Sequence, residues 1–237
     1  MFIPGTKTTM SETFGGYLPM ILKGMVLTVE VALLSLLLSL MLGILAASAR
    51  LYGGSVSKTI AGIYTTVIRG IPDLVLMMLI FFGGQILVNK VGDKLGWDYI
   101  DIDPFVAGIL TIGFIFGAYM GETFRGAIMA VSKGEIEAGH AYGMTSLQVF
   151  IHITFPAMIR HAIPGFFNNW LVLVKTTALV SVIGLEDMVF SAKVAGDSLR
   201  QPFTFYMLVG FLFLLITAAS DLGMRWLERK YSFGEEK

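Results

Sequence analysis

Few side chains in this sequence are suited to chemistry, and the most informative are polar groups within or beside long apolar stretches. Asp73, Glu122 and Lys175 are charges of this kind, and Asn168 and Asn169 are adjacent amides in another apolar stretch. An ionisable group inside a membrane costs roughly 2.5–3.5 kcal/mol, so it usually faces protein or a water-filled path. These five residues are therefore candidates for a polar path through the chain or for internal pairing.

Internal pairing is the simpler alternative for the three charges. Glu122 and Arg125 have the i, i+3 spacing at which two side chains on one helix meet. Asp73 follows Pro72 and could cap a helix that begins there. We expect Lys175 to be a counter-ion that holds helices together rather than a ligand for a solute. For Asp73 and Glu122 both alternatives remain open.

The side chains on which most enzymes depend are scarce. The chain has no Cys, which excludes thiolate catalysis, disulfides and Cys-ligated metal. Its three His residues, His140, His152 and His161, do not have a convincing metal-binding spacing. The Gly-x-x-x-x-Gly-Lys-Ser/Thr loop that holds nucleotide phosphates does not occur. We therefore expect no catalytic residues, no metal and no cofactor bound by this chain.

The composition is that of a membrane protein. Of the 237 residues, 55% are hydrophobic and only 14% are charged, and the mean hydropathy is +0.76. In a soluble domain about 25% of residues are charged. Basic and acidic residues balance at 17 each, so the net charge is zero and no basic field would attract nucleic acid.

Five apolar stretches are long enough to cross a bilayer, which takes about 20 residues of helix. They cover residues 31–49, 74–89, 104–121, 162–185 with one interruption at Lys175, and 201–220. Such long, continuous stretches do not fit the short alternating strands of a membrane barrel. We predict an all-α integral membrane bundle of about five transmembrane helices. Without internal repeats or linkers, residues 1–237 should form one domain.

Five spans place the two ends of the chain on opposite sides of the membrane. If the N-terminus is outside, the inside segments carry more Lys and Arg than the outside segments. The positive-inside rule favours this orientation. The longest inside segment, which extends from about residue 125 to residue 160, is too polar for lipid.

Within that segment the sequence predicts a helix-turn-helix. Residues 137–142 have helical character, and Gly143 is a natural C-cap because Gly adopts the left-handed conformation readily. Thr145 or Ser146 can cap a second helix, which we expect to end before Pro156. The small side chains give this surface a low profile that could dock into a cleft of a soluble partner.

The same segment resembles the EAA loop of the permease subunits of bacterial ABC importers. That loop reads Glu-Ala-Ala, three residues, Gly, nine residues, Ile, one residue, Leu-Pro. The matching residues here are Glu137, Ala138, Gly139, Gly143, Ile153 and Pro156. Gly139 replaces the second Ala and Phe155 replaces the Leu, while the spacing is intact.

Other segments extend the resemblance over nearly the whole chain. Residues 64–75, 117–127 and 168–181 resemble the permeases of the polar amino-acid family. The context of Asp73 and residues 101–104 and 184–187 are most similar to the Q-type permeases of histidine/lysine/arginine/ornithine importers.

This resemblance implies a partnership rather than a self-sufficient transporter. A homologous M-type permease, or a second copy of this chain, would complete the path through the bacterial inner membrane. Two ATPase subunits, which bind ATP and Mg, would dock on a cytoplasmic coupling loop at residues 131–156. A periplasmic binding protein would deliver histidine, lysine, arginine or ornithine on the side of the N-terminus, and the C-terminus would be cytoplasmic. The alternative is a stand-alone secondary amino-acid carrier or channel.

The resemblance also suggests roles for the candidate residues. A cationic substrate needs anionic partners, for which Asp73 and Glu122 are candidates. Asn168 or Asn169 could hold the α-carboxylate or the α-amine. The other permease could instead carry the whole binding site.

Two further groups are candidates for motion or for packing. The junction between an inside helix and the second span contains Arg69, Gly70 and Pro72. These residues form a hinge or gate, or they are simply part of an ordinary tight loop. Glycines four residues apart share one helix face and permit close approach of another backbone. Gly113, Gly117 and Gly121 therefore indicate packing inside the chain, or else a dimer face or a narrow path.

Overall fold

The computed structural model describes residues 10–231, with side chains for 15–225, and this part of the chain is helical without any strand. The helices are α1 (Met10–Tyr52), α2 (Ser55–Gly70), α3 (Asp73–Leu95), α4 (Pro104–Met129), α5 (Lys133–Ala141), α6 (Ser146–Val149), α7 (Phe155–Thr176), α8 (Met188–Leu199) and α9 (Pro202–Tyr231). A π-helical turn (Phe150–Thr154) joins α6 to α7, and a 3-10 helix (Thr177–Ile183) follows α7.

Five helical segments are long and apolar enough to cross a membrane, which confirms the predicted all-α bundle. They are Gly15–Tyr52, Asp73–Leu95, Pro104–Met129, Ser146–Ile183 and Pro202–Arg225. The first span begins well before residue 31, and the fourth begins at Ser146 rather than near residue 162. Uncharged runs underestimate the helices because one exposed charge, such as Glu30 on α1, does not interrupt backbone hydrogen bonding.

Helix α4 is the central helix of the bundle, since it is the most deeply buried of the five spans. Three of its glycines lie against α1, and a Cβ atom added to any of these three would meet an α1 side chain within 3.0 Å. The facing pairs are Gly113 with Leu38, Gly117 with Leu42 and Gly121 with Ala46. The three glycines thus serve close packing within this chain, which is the simpler of the two alternatives.

Helix α7 packs on another side of α4. A Cβ atom on Gly165 would lie 2.7 Å from Thr123 Cγ2, so the two backbones approach closely there. Asn169 donates a hydrogen bond from Nδ2 to Thr123 Oγ1 at 2.9 Å. Further along, Val180 lies against Gly108.

Helix α8 packs on α1 at its first turn, where the buried residue Asp187 stands. Its Oδ1 accepts the Phe190 N–H at 2.8 Å and so caps α8, whereas Oδ2 has no hydrogen-bond partner among the described residues. A Cβ atom on Gly24 of α1 would lie 2.6 Å from the Asp187 backbone carbon. Burial raises the pKa of Asp187 to about 7, and backbone N–H donors at Phe190 and Val189 oppose that increase.

Replacement of this acid should remove a pH dependence of stability. The pKa rises from 3.8 to about 7 on folding, so the folded protein prefers the protonated carboxyl. Its contribution to stability is therefore complete below the unfolded pKa and is lost as the pH rises through the folded pKa, by on the order of 1 kcal/mol per pH unit. Asp187→Asn retains an oxygen for the Phe190 N–H and cannot ionise.

The measurement is the unfolding temperature of the detergent-solubilised chain from about pH 5 to about pH 8. We expect the wild-type curve to fall relative to the Asp187→Asn curve as the pH rises. Parallel curves over this range would show that the carboxyl does not titrate on folding.

Candidate functional site

The predicted helix-turn-helix is present at one end of the bundle. Helix α5 is followed by Gly143, which has a φ of 82° and donates its N–H to the His140 carbonyl at 2.9 Å. The predicted left-handed glycine is thus confirmed. Thr145, rather than Ser146, caps α6, because its backbone N–H donates to Gln148 Oε1 at 2.9 Å and its Oγ1 accepts the Gln148 N–H at 3.4 Å.

The expectation that the second helix ends before Pro156 is wrong. The π-helical turn carries α6 directly into α7, and Pro156 is the second residue of α7. Phe155 donates its N–H to the Phe150 carbonyl, five residues back. Because the wider turn changes the donor pattern at this point, the missing N–H of Pro156 falls in a first helical turn, where proline is tolerated. The second helix of the loop is therefore continuous with the fourth span.

Helix α5 presents one side to α6 and the other to the surroundings. Gly139 is buried, and a Cβ atom there would lie 2.6 Å from Ile153 Cδ1 and 3.0 Å from Val149 Cγ2. This close contact explains why Gly139 stands where the EAA pattern has a second Ala. Glu137 and Ala138 are exposed, and each is thus accessible to a partner.

Glu122 on α4 is the centre of a charge cluster. Its Oε2 accepts Arg125 Nη2 at 2.7 Å, so the predicted i, i+3 pair is confirmed. Its Oε1 pairs with Arg50 of α1, and the same guanidinium donates to Thr65 Oγ1 of α2 at 3.0 Å. The carboxylate side chain is only 14% exposed. Glu122 therefore joins three helices and is not free to receive a solute in this conformation.

Sequence reasoning missed Arg50 because its partner Glu122 lies 72 residues away in the chain. It also missed Tyr64 of α2, whose hydroxyl donates to the Phe114 carbonyl of α4 at 2.6 Å. Burial raises the pKa of Tyr64 to about 12. The only signal in the sequence was the position of Arg50 at the end of the first apolar stretch.

The corner between α2 and α3 brings together the predicted hinge residues. Gly70 ends α2, and Pro72 is the N-cap residue of α3. Arg69 lies over the Tyr119 ring of α4, 5.6 Å from its centroid. Asp73 is the first residue of α3 and no side chain caps this helix, so the expectation that Asp73 is the cap is wrong. Its carboxylate lies instead at the positive end of the helix dipole.

The adjacent amides on α7 point to different surroundings. Asn169 is buried against Thr123, whereas Asn168 is exposed. Lys175 is also exposed, and it has no ion pair within residues 15–225. Within the described residues Lys175 therefore has no partner for the expected role as a counter-ion. Within the described residues, no group of three His, Cys, Asp or Glu could hold a metal ion.

Five apolar spans and an exposed helix-turn-helix at one end of the bundle are the features of a membrane transport protein. The family described as binding-protein-dependent transport system inner membrane component matches residues 39–233. The chain belongs to this family of inner-membrane transport proteins.

Relatives identify the branch of the family. The chain is 52% identical over 222 residues to the histidine/lysine/arginine/ornithine transport system permease protein HisQ of Salmonella typhimurium, covering 94% of this chain and 97% of that protein. HisQ of Escherichia coli is 50% identical with the same coverage. The octopine transport system permease protein OccQ of Rhizobium meliloti is 41% identical over 86% of both chains. The predicted resemblance to Q-type permeases is confirmed.

Solved structures agree with this assignment. A chain from the crystal structure of an amino acid ABC transporter superposes with a TM-score of 0.81 at 25% identity, covering 97% of this chain and all of that one. A chain of the MetNI methionine ABC transporter gives a TM-score of 0.64 at 14% identity over 91% and 95% of the two chains, which shows the fold alone. This chain is the permease of an amino-acid ABC importer, and no comparison supports a stand-alone carrier.

Removal of the central acid should weaken the bundle. Glu122→Gln leaves Arg50 and Arg125 without their shared counter-charge. Breaking a fully buried ion pair costs about 3–5 kcal/mol, and because this cluster is partly solvated we expect a loss of about 2 kcal/mol. The control is Asp221→Asn, which breaks the exposed pair with Arg225 and should cost at most about 1 kcal/mol. Chemical unfolding in detergent measures both, and equal losses would contradict a structural role for the cluster.

Proposed function

We propose that this chain is the permease subunit of an ATP-driven importer of basic amino acids, namely histidine, lysine, arginine and ornithine. The observation that carries this proposal is the identity of 50–52% to HisQ proteins over 94% of the chain. The arginine ABC transporter permease ArtQ of Haemophilus influenzae, 36% identical over 92% of this chain, also supports a basic substrate.

Two features indicate the partners, namely the missing phosphate-binding loop and the exposed side of α5. Since the sequence has no phosphate-binding loop, ATP and Mg belong on a separate pair of ATPase subunits. The exposed side of α5 at Glu137 and Ala138 is the surface offered to them. A homologous M-type permease, or a second copy of this chain, would complete the path, and a periplasmic binding protein would deliver the substrate.

ATP hydrolysis is coupled to transport through the docking loop, because this loop continues directly into the fourth span. A force on α5 passes through the tight contact of Gly139 with Ile153 into the π-helical turn and then into α7. The Asn169–Thr123 hydrogen bond connects α7 to α4. The corner at Arg69, Gly70 and Pro72 is the proposed hinge. With the docking loop facing the ATPase subunits, residues 131–156 are cytoplasmic and the N-terminus is periplasmic.

Only two of the four candidate residues remain suited to line the substrate path. Glu122 and Asn169 are committed to contacts within the chain, whereas Asp73 and Asn168 form no side-chain hydrogen bond or ion pair within residues 15–225. We therefore assign the path-lining role to Asp73 and Asn168.

The composition of the native complex tests the proposed function. Gentle detergent extraction of the tagged chain from its native cells, followed by mass spectrometry, should recover an ATPase and a second, similar permease. Vesicles containing that complex and its binding protein should take up basic amino acids only with ATP. An ATPase without a second permease would indicate a homodimer. Absence of an ATPase, from an extract that preserves other ABC complexes, would contradict the proposal.

Gly143→Pro should uncouple ATP hydrolysis from transport. Proline fixes φ near about −65°, whereas Gly143 needs 82°, so the turn between α5 and α6 cannot keep its shape. We expect an assembled complex whose ATP-driven uptake is reduced at least about tenfold, a loss of about 1.4 kcal/mol in coupling.

Two further variants complete the coupling test. Gly139→Val should act in the same direction, because its Cβ would collide with Ile153. Gly134→Ala on the same helix is the control, since its Cβ would make only an ordinary contact of 3.6 Å with Ser132. Normal uptake by both Gly143→Pro and Gly139→Val would refute the coupling role.

A further inference from the structure

Lys175 carries a charge within the fourth span, near the C-terminal end of α7. Along the chain it lies between Asn169 of α7 and Val180 of the following 3-10 helix, which contact α4 at Thr123 and Gly108 respectively. Both contacts flank the middle of α4, so Lys175 lies near the centre of the bilayer, about 15 Å from either surface of a hydrocarbon core of about 30 Å.

Neither the described part of this chain nor lipid compensates that charge. No Asp or Glu within residues 15–225 pairs with Lys175, and its side chain is exposed. A Lys at this depth is costly in lipid, and a four-carbon stem is too short to bring the ammonium to the surface. This side of α7 must therefore face a polar path or a protein partner.

The surrounding residues indicate a path. Exposed residues recur every three or four positions and form one stripe along α7, which comprises His161, Pro164, Asn168, Val172 and Lys175. The fourth span is also the least apolar of the five spans. The stripe extends along most of α7, as the wall of a path would.

We propose that Lys175 binds the α-carboxylate of the transported amino acid, on the α7 face that also carries Asn168. The proposal rests on the proposed function, because it takes an amino acid as the solute. Side chains on a helix lean towards its N-terminus, so the ammonium of Lys175 is directed towards Asn168. The two residues are separated by about 10.5 Å of helix rise.

At close range the ammonium of Lys175 would repel the side-chain cation of a basic amino acid. The distance between Lys175 and Asn168 keeps these two positive charges apart. With its carboxylate at Lys175, an extended basic amino acid directs its distal cation along the stripe towards Asn168. The Asn168 amide oxygen can accept a hydrogen bond from that cation. A charge-assisted bond between the ammonium and the carboxylate is stronger than a neutral one, which suits a group that every amino acid shares.

An acidic side chain of the second permease is the other anion that could meet Lys175. A permanent ion pair of this kind would need no polar neighbours, whereas the stripe continues with Asn168 and His161 towards the loop. The stripe therefore favours the solute carboxylate, and the test separates the two.

The test uses the whole importer, purified with both permeases and the ATPase. The variants are Lys175→Gln, Lys175→Arg and the control Lys193→Gln, which removes an exposed Lys from α8 outside the spans. Equilibrium binding of labelled arginine is compared with that of agmatine, which is arginine without its carboxylate. ATP-driven uptake of arginine with saturating binding protein is the second measurement, and native mass spectrometry reports whether the permeases stay together.

We expect Lys175→Gln to weaken arginine binding and to reduce arginine uptake at least tenfold, with Lys175→Arg restoring much of both and Lys193→Gln unchanged. Agmatine should bind the wild type and Lys175→Gln equally. Unchanged arginine binding and uptake by Lys175→Gln would overturn the proposal. So would separation of the permeases in that variant, which would assign Lys175 to a partner's acid. If the wild-type importer takes up no amino acid, the proposed function itself fails before any variant is compared.

Discussion

The close approach of α1 to α4 is the contact on which the rest of the bundle depends. Lipid chains are as apolar as leucine, so helices in a membrane associate through tight van der Waals contact and hydrogen bonds rather than through exclusion of water. Gly113, Gly117 and Gly121 allow that contact by leaving room for Leu38, Leu42 and Ala46. With α1 in place, Arg50 reaches Glu122 and Thr65, and α2 is held against the pair. Helix α7 then packs on another side of α4.

The features that could be predicted from the sequence are those that depend on residues close to one another in the chain. The left-handed Gly143, the Thr145 cap and the Glu122–Arg125 pair each follow from local spacing. The spans follow from their apolar composition, although the ends of the first and fourth were misjudged because a helix continues through a single charge. Arg50 could not be assigned to Glu122, since that pair depends on how two distant helices align. The continuation through Pro156 required the π-helical turn, for which the sequence has no clear signal.

The intramembrane polar groups divide into two kinds once the packing is known. Glu122 and Asn169 satisfy partners on neighbouring helices, and these contacts hold the bundle together. Asn168 and Lys175 lie on the exposed side of α7, where neither forms a side-chain hydrogen bond or ion pair with residues 15–225. Adjacent residues on a helix differ by about 100° in direction, which explains how Asn168 and Asn169 come to have opposite surroundings. In a permease that works as one of a pair, the second permease or the solute can supply the partners that these residues lack.

The π-helical turn at Phe150–Thr154 sets the rotation of α7 relative to the docking loop. A π-helical turn contains one residue more than the α-helical turn it replaces. Loss of any one residue from this turn would restore regular winding and rotate the rest of α7 by about 100° about its axis. The polar stripe would then turn towards neighbouring helices and the apolar side would turn outwards. The direction in which the permease presents its polar side is therefore set by the number of residues between α6 and α7, largely independently of which side chains they carry.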